Sequence, residues 1–383
     1  MKKSHLVLLT LLINTLTFSK TKKGSIEKKV HSYLKDSNPD LKKLKSILQS
    51  GRVHGVFDTN EIIKIFKFLT ENYPKLVSSK VIGNSVMKED IYSYHLSEDC
   101  LKETYANTES QFMALEGMEV HYRDEGPKTD SIPIVLIHGT GASLHTFNDW
   151  TTSLSKYRRV IRMDLPAYGL TGPFMDRNYS TQHYVAFIAA FLQELGVKHC
   201  VLGGNSLGGK IAWNFTSAYP DRVDRLILID ASGYPTGSKS VPIAFQLAQL
   251  PVVKQLFTFI TPRFVAASSV KNVYADPQKV APEVIDRYFE LTLRSGNRQA
   301  FVDKLNTPVT PFSREKVMEI QQPTLILWGA EDRLIPLEVA QQFHKDLPNS
   351  TLVVLDDLGH VPMEEDPERS IEPVLQFLNL PSN

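Results

Sequence analysis

The sequence predicts an α/β fold: a mostly parallel sheet covered on both faces, a helical insertion after the sixth strand and a helical N-terminal extension. Three observations predict it. From Gln111 onward, short continuously apolar runs alternate with helix-like stretches. That alternation breaks once, between Gly233 and about Ile320. Before Gln111 the chain is rich in Lys, Ser and Asn, and its apolar residues recur at helical spacing.

The first 19 residues form a segment of their own. Lys2 and Lys3 precede an apolar stretch from His5 to Phe18, and the basic run Lys20 to Lys23 follows. A short basic region and a stretch below the ~20 residues of a spanning helix describe a secretory signal peptide. Thr17 and Ser19 would supply the small residues before a cut. An uncleaved membrane anchor and an unprocessed cytoplasmic N-terminus are the rival readings. An exported or anchored chain, with possible membrane association through this segment, is the expectation.

Residues 20–110 read as a helical extension. Asp58-Thr-Asn-Glu61 resembles a helix start, and Ile62, Ile63, Ile65, Phe66, Phe68 and Leu69 follow at helical spacing. Leu41 to Leu48 reads as a second short amphipathic helix. At Phe112–Arg123, two strand-like runs flank Glu116-Gly117, a hairpin signal. Parallel strands are expected at Ile134–Ile137, Val160–Met163, Cys200–Leu202, Leu226–Ile229, Thr324–Trp328 and Thr351–Leu355. Helices are expected between them at Thr181–Leu195, Leu207–Tyr219 and Leu337–Lys345, with a final one after Pro367. The core is therefore 111–233 with 320–383, and residues 234–319 form a helical lid over the carboxyl ends of the strands, where open sheets of this class bind ligands.

Bulk composition excludes some functions. Lys plus Arg number 43 against 42 Asp plus Glu, a formal net charge of +1, which gives no basic surface for a nucleic acid partner. Two cysteines, Cys100 and Cys200, cannot build a disulfide framework or a Cys-rich zinc site. Cys200 opens an apolar run and reads as a buried thiol rather than half of a bridge.

The strongest local signal is Gly204-Asn-Ser206-Leu-Gly208, between an expected strand and an expected helix. Such a turn lifts a serine hydroxyl above the sheet, and its glycines permit close packing. Gly83-Asn-Ser85-Val-Met87 copies half the pattern but lacks the last glycine and, by this reading, a preceding strand. A serine hydroxyl needs a base, and the base needs an orienting acid. His360 and Asp332 follow Ser206 in the order Ser, Asp, His, each just past an expected strand. His344, within a helix, is a weaker base candidate among the 11 histidines. Glu331 and Asp230 are the alternative acids, while Asp356 and Asp357 read as turn residues. The oxyanion donors should be the amides of Leu207 and Thr140, the latter between Gly139 and Gly141, with Gly141 as fallback. His138 is expected to brace that loop.

These segments, with Met163-Asp-Leu-Pro-Ala-Tyr-Gly169 and Gly359-His-Val-Pro-Met-Glu-Glu-Asp-Pro367, resemble the α/β-hydrolase superfamily, in its single-lid serine branch, over about Phe112 to Leu378. The resemblance implies acyl transfer to Ser206 from a small ester-like substrate, without metal or organic cofactor. Serine at position 206 departs from relatives with an aspartate nucleophile, the epoxide hydrolases and haloalkane dehalogenases. Val361 stands where relatives that hydrolyse carbon–carbon bonds usually carry tryptophan. An acyltransferase or perhydrolase, a C–C bond hydrolase and a non-catalytic binding protein are the alternatives.

Overall fold

The computed structural model describes residues 77–84, 90–96 and 98–381, apart from positions 236, 251–253, 255–257, 259–260 and 309–310. The N-terminal segment 1–19 and the helices expected at 41–48 and 58–69 lie outside these residues. The chain divides into two units, Met1–Ser97 and Glu98–Asn383.

In the first unit, strand β1 (Val77–Asn84) pairs antiparallel with β2 (Asp90–Leu96), with an irregularity between Val81 and Gly83. This corrects the expectation of a wholly helical extension. Ile91, Tyr92, Tyr94 and Val77, Val81, Ile82 are β-branched and aromatic residues, which suit a pleated surface. It also corrects the expectation that no strand leads into Gly83-Asn84-Ser85, because β1 runs from Val77 through Gly83 and Asn84. The missing glycine at Met87 remains the distinction from the Ser206 turn.

The second unit begins with helix α1 (Glu98–Tyr105), ahead of the change in texture at Gln111. Hydrogen bonds tie it down: the Tyr105 carbonyl accepts from Arg123 Nη2 at 3.0 Å and from His145 Nε2 at 2.8 Å. Then come β3 (Ser110–Leu115), β4 (Met118–Glu125), β5 (Ile134–Ile137), α2 (Asn148–Leu154), β6 (Val160–Met163), α3 (Thr181–Glu194), β7 (Cys200–Asn205), α4 (Leu207–Ala218) and β8 (Val223–Ile229). Helices α5 (Ile243–Gln249), α6 (Arg263–Val273), α7 (Pro282–Thr292), α8 (Asn297–Asn306) and α9 (Arg314–Met318) form the insertion. The chain ends with β9 (Thr324–Gly329), α10 (Leu337–Asp346), β10 (Ser350–Leu355), α11 (Pro362–Glu365) and α12 (Pro367–Phe377).

The eight strands lie in the order β10-β9-β8-β7-β5-β6-β4-β3. Six are parallel, while β4 runs antiparallel to β6 and β3 antiparallel to β4. The insertion follows β8, the sixth strand of this sheet. The β3–β4 turn is made by Glu116 and Gly117, both at positive φ (50° and 78°), as a tight hairpin requires.

Alternate residues of each strand enter two separate cores, which is why the strands read as continuously apolar. Ile134, Leu136, Val201, Ile227 and Leu325 pack with Trp150, Val374 and Leu375 on the face covered by α2 and α12. Val135, Ile137, Leu202, Leu226 and Ile326 pack with Phe187, Phe215 and Phe343 on the face of α3, α4 and α10. Such full burial of Leu, Ile and Phe side chains contributes about 1.5–3 kcal/mol each before chain entropy is subtracted. Burial pushes the Cys200 thiol up to about 12. No helix among the described residues is long and apolar enough to cross a membrane.

Candidate active site

Strand β7 ends at Asn205 and helix α4 starts at Leu207, leaving Ser206 alone at the turn with φ 55° and ψ −112°. A serine in the left-handed region is strained, and the surroundings hold it there. Its N–H donates to the Ile229 carbonyl at 3.0 Å, and its own carbonyl accepts from Lys210 and Ser232, each at 3.0 Å. The glycines are needed for space. A Cβ on Gly204 would lie 2.3 Å from the Gly208 carbonyl carbon, and one on Gly208 would lie 2.0 Å from the Ile137 oxygen. Leu207 is the first residue of α4, so its N–H is among those without an intrahelical acceptor, at the positive end of the helix.

The loop after β5 runs against this turn. A Cβ on Gly139 would come within 3.1 Å of the Ser206 Cβ, Gly141 sits at φ 77°, and Thr140 lines the cavity beside Ser206. His138 braces the loop. Its Nδ1 donates to the Gly139 carbonyl at 2.8 Å, and its Nε2 accepts from the Leu165 N–H at 2.9 Å. Complete burial lowers its basicity, so the ring stays neutral.

Asp332 and His360 occupy the loops after adjacent strands β9 and β10. His360 Nδ1 donates to Asp332 Oδ2 at 2.7 Å, and both residues are buried. The other Asp332 oxygen accepts from Leu334 N at 2.8 Å and Ile335 N at 2.9 Å. With Nδ1 donating, Nε2 is left as the basic nitrogen. Ser206 Oγ makes no direct hydrogen bond to His360; the two meet as walls of one cavity. The rest of that cavity is largely apolar, from Phe245, Val265, Val270, Leu291 and Phe301 of the insertion and Val361 beside the histidine.

The competing residues are exposed except Asp230, which lies beside the Asp332–His360 pair. Glu331, Asp356 and Asp357 are exposed, and His344 bonds Ser350 Oγ at 3.0 Å. Asp230 is fully buried behind Asp332, and its Oδ1 accepts from Gly329 N at 2.9 Å. Donor atoms of Asp230, Asp332 and His360 lie within 4.8 Å of one another, a spacing a cation would also tolerate. The 2.7 Å bond already commits two of the three to each other.

Three residues support the site without standing out in the sequence. Asn205, the variable position of the serine motif, donates its side-chain amide to the carbonyls of Ile229 at 3.2 Å and His360 at 2.9 Å. Asp164 accepts from Leu144 N (2.7 Å), Leu170 N (2.8 Å) and His121 Nδ1 (2.7 Å), so it gathers the loops after β5 and β6. Burial alone would raise its carboxyl, but His121 and its hydrogen bond hold it well below the usual range. Glu365 accepts from Gly359 N at 2.8 Å, Ala275 N at 3.0 Å and Asp276 N at 2.9 Å, joining the histidine loop to the insertion. Asp164 and Glu365 lie within the quoted resemblance segments, and their type is a signal only when their burial is known.

Residues 132–367 match the alpha/beta hydrolase fold family. A 2-hydroxy-6-oxo-2,4-heptadienoate hydrolase of Pseudomonas putida is 29% identical over 286 residues, covering 72% of this chain and 98% of that protein. A meta-cleavage product hydrolase from Pseudomonas fluorescens IP01, solved with acetates, is similar with a TM-score of 0.62 and 24% identity, covering 71% of this chain and 99% of that one. A thermophilic esterase from Thermogutta terrifontis gives a TM-score of 0.59 at 26% identity, covering 70% and 98% respectively. The family match spans more than half of the sequence, and the sheet order and serine turn agree with it: the chain belongs to the alpha/beta hydrolase fold family.

Proposed function

We propose that this α/β hydrolase cleaves a carboxylic ester or related acyl compound through an acyl-enzyme on Ser206. The observation that carries the reading is the 2.7 Å Asp332–His360 bond at the wall of the cavity that Ser206 lines. His360 takes the Ser206 proton as the hydroxyl attacks the carbonyl. Asp332 fixes the ring and balances its charge, and the amides of Leu207 and Thr140 receive the oxyanion. Water then hydrolyses the acyl-enzyme, with His360 again as base. An apolar cavity under helices α5–α8 suits a small, uncharged, partly hydrophobic substrate, and the insertion acts as its lid.

A panel of esters of increasing acyl length tests this reading; turnover lost in Ser206→Ala is the expected result. Retained turnover in that variant would sink the nucleophile assignment. Added alcohols would separate hydrolysis from acyl transfer by their ester products, and a non-catalytic binder would turn over nothing.

A second reading is hydrolysis of a carbon–carbon bond, prompted by the likeness to the 2-hydroxy-6-oxo-2,4-heptadienoate hydrolase of Pseudomonas putida. Buried Arg298 on the cavity wall supports it, because a carboxylate-bearing substrate would meet a cation there. Val361 speaks against it by the resemblance. Turnover of a ring-cleavage dienoate exceeding that of every ester would favour it. For the N-terminal segment we propose export or anchoring; a cell-derived chain still starting at Met1 in the soluble fraction would contradict that.

A further inference from the structure

Asp230 is a buried acid beside the Ser206–His360–Asp332 arrangement to which the proposed mechanism gives no part. It follows β8 directly, at φ 43°, a conformation rarely imposed on a non-glycine residue. Its position is fixed from two sides: its N–H donates to the Leu327 carbonyl at 3.1 Å and its Oδ1 accepts from Gly329 N at 2.9 Å. Two residues on, Ser232 N donates to the Ser206 carbonyl at 3.0 Å, so the same short segment touches the nucleophile turn. The remaining oxygen, Oδ2, is buried and accepts from no donor among the described residues. Yet donor atoms of Asp230, Asp332 and His360 all come within 4.8 Å of one another.

Two buried carboxylates this close cannot both keep their charge. Asp332 is the one built to keep it, since one oxygen accepts two backbone N–H groups and the other takes His360 Nδ1. Asp230 has one backbone donor. Burial first, then the charge of Asp332, push the Asp230 carboxyl well above its ordinary range, and Glu365 adds to the push. The charged or titratable groups facing Asp230 are thus Asp332, His360 and Glu365.

We propose that Asp230 is a positioning residue: a neutral carboxylic acid whose Oδ2 proton points to Asp332, steadying that carboxylate and, through it, the His360 ring. The proposal rests on the catalytic reading of Ser206, and its test is chosen to separate the two. An amide has the same shape as a neutral acid: in Asp230→Asn the oxygen still accepts from Gly329 N and the NH2 still donates to Asp332. Asp230→Ala loses the donor.

The readout is the rate of Ser206 labelling by a fluorophosphonate across pH, on full-length folded protein, with thermal melts alongside. Asp230→Asn should label within about twofold of the wild-type rate, with the acid limb unmoved, because no charge is lost. Asp230→Ala should label about tenfold more slowly, and its acid limb should move up by roughly half a pH unit, because an unsupported carboxylate holds the imidazolium proton more tightly. A downward shift of the limb in Asp230→Asn would show that Asp230 is ionised, and the proposal fails. An unmoved limb in folded Asp230→Ala would reduce Asp230 to a structural part, and it fails equally. A wild-type Ser206 that does not label overturns the catalytic reading itself, a result distinct from either.

Discussion

The side-chain amide of Asn205 donates to the backbone carbonyl of His360 at 2.9 Å, although the two residues are 155 positions apart. The residue before the nucleophile therefore holds the loop that carries the base. The same amide reaches the Ile229 carbonyl at 3.2 Å, so one side chain joins the ends of β7 and β8 to the loop after β10.

Asn205→Ala strips the buried His360 carbonyl of its partner, while the Ile229 carbonyl keeps the Ser206 N–H. Leaving a buried acceptor unsatisfied costs about 1–3 kcal/mol, so the melting temperature should fall by a few degrees. Ser206 labelling should slow as well, because the His360 loop loses its tether. Unchanged melting and labelling would show that the bond carries nothing.

Gly204→Ala should fail to give folded, labelled protein, since its Cβ would lie 2.3 Å from the Gly208 backbone carbon. Gly237→Ala is the matched control, with nothing within 4 Å of the added carbon. A surface change of that kind should stay within about 0.5 kcal/mol in thermal unfolding.

Asp332→Asn should cut turnover of the best ester by about 10³–10⁴-fold with little change in KM, because the amide no longer fixes the working tautomer. Exposed Glu331→Gln should leave it within about twofold. Equal losses in both would mean that the orienting acid has been misassigned.

An acid limb of stability should trace to Asp346. Arg314 bonds it twice, at 2.6 Å each, and Tyr234 donates to it at 2.6 Å; led by Arg314, these contacts hold its carboxyl down to about 2. A free aspartate protonates near ~3.9, so this contribution is present above that pH and is lost as pH falls toward the folded value. Much of Arg314 is solvent-exposed, which screens the pair. Asp346→Asn should therefore lower stability at neutral pH and flatten its decline between pH 4 and 2, as followed by urea unfolding.

Elements with a strong period were legible in the sequence, and so were motif residues with fixed geometry. The expected strands at Ile134–Ile137 and Val160–Met163 agree with β5 and β6 to the residue, because both faces of the sheet are buried and the apolar runs end where the sheet does. Ser206, Asp332 and His360 could be placed because each lies just past a strand. The strands β1 and β2 were not legible as strands: Ser78, Ser79, Ser93 and Lys80 dilute their alternation, and their partners are each other rather than the large sheet. Asn205 escaped for a different reason, and Asp230 was legible only as an alternative acid. The contacts that fix them span 155 and 99 positions, to His360 and Gly329, which no local pattern encodes.

The proposed chemistry depends on Ser206 being an activated nucleophile. Its most direct measurement is mass spectrometry of the intact, folded protein after fluorophosphonate treatment, with the modified peptide sequenced. One adduct on Ser206, abolished by heat denaturation and absent from Ser206→Ala, is the expected result. No adduct on the folded wild type, or an adduct that survives in Ser206→Ala, would contradict it.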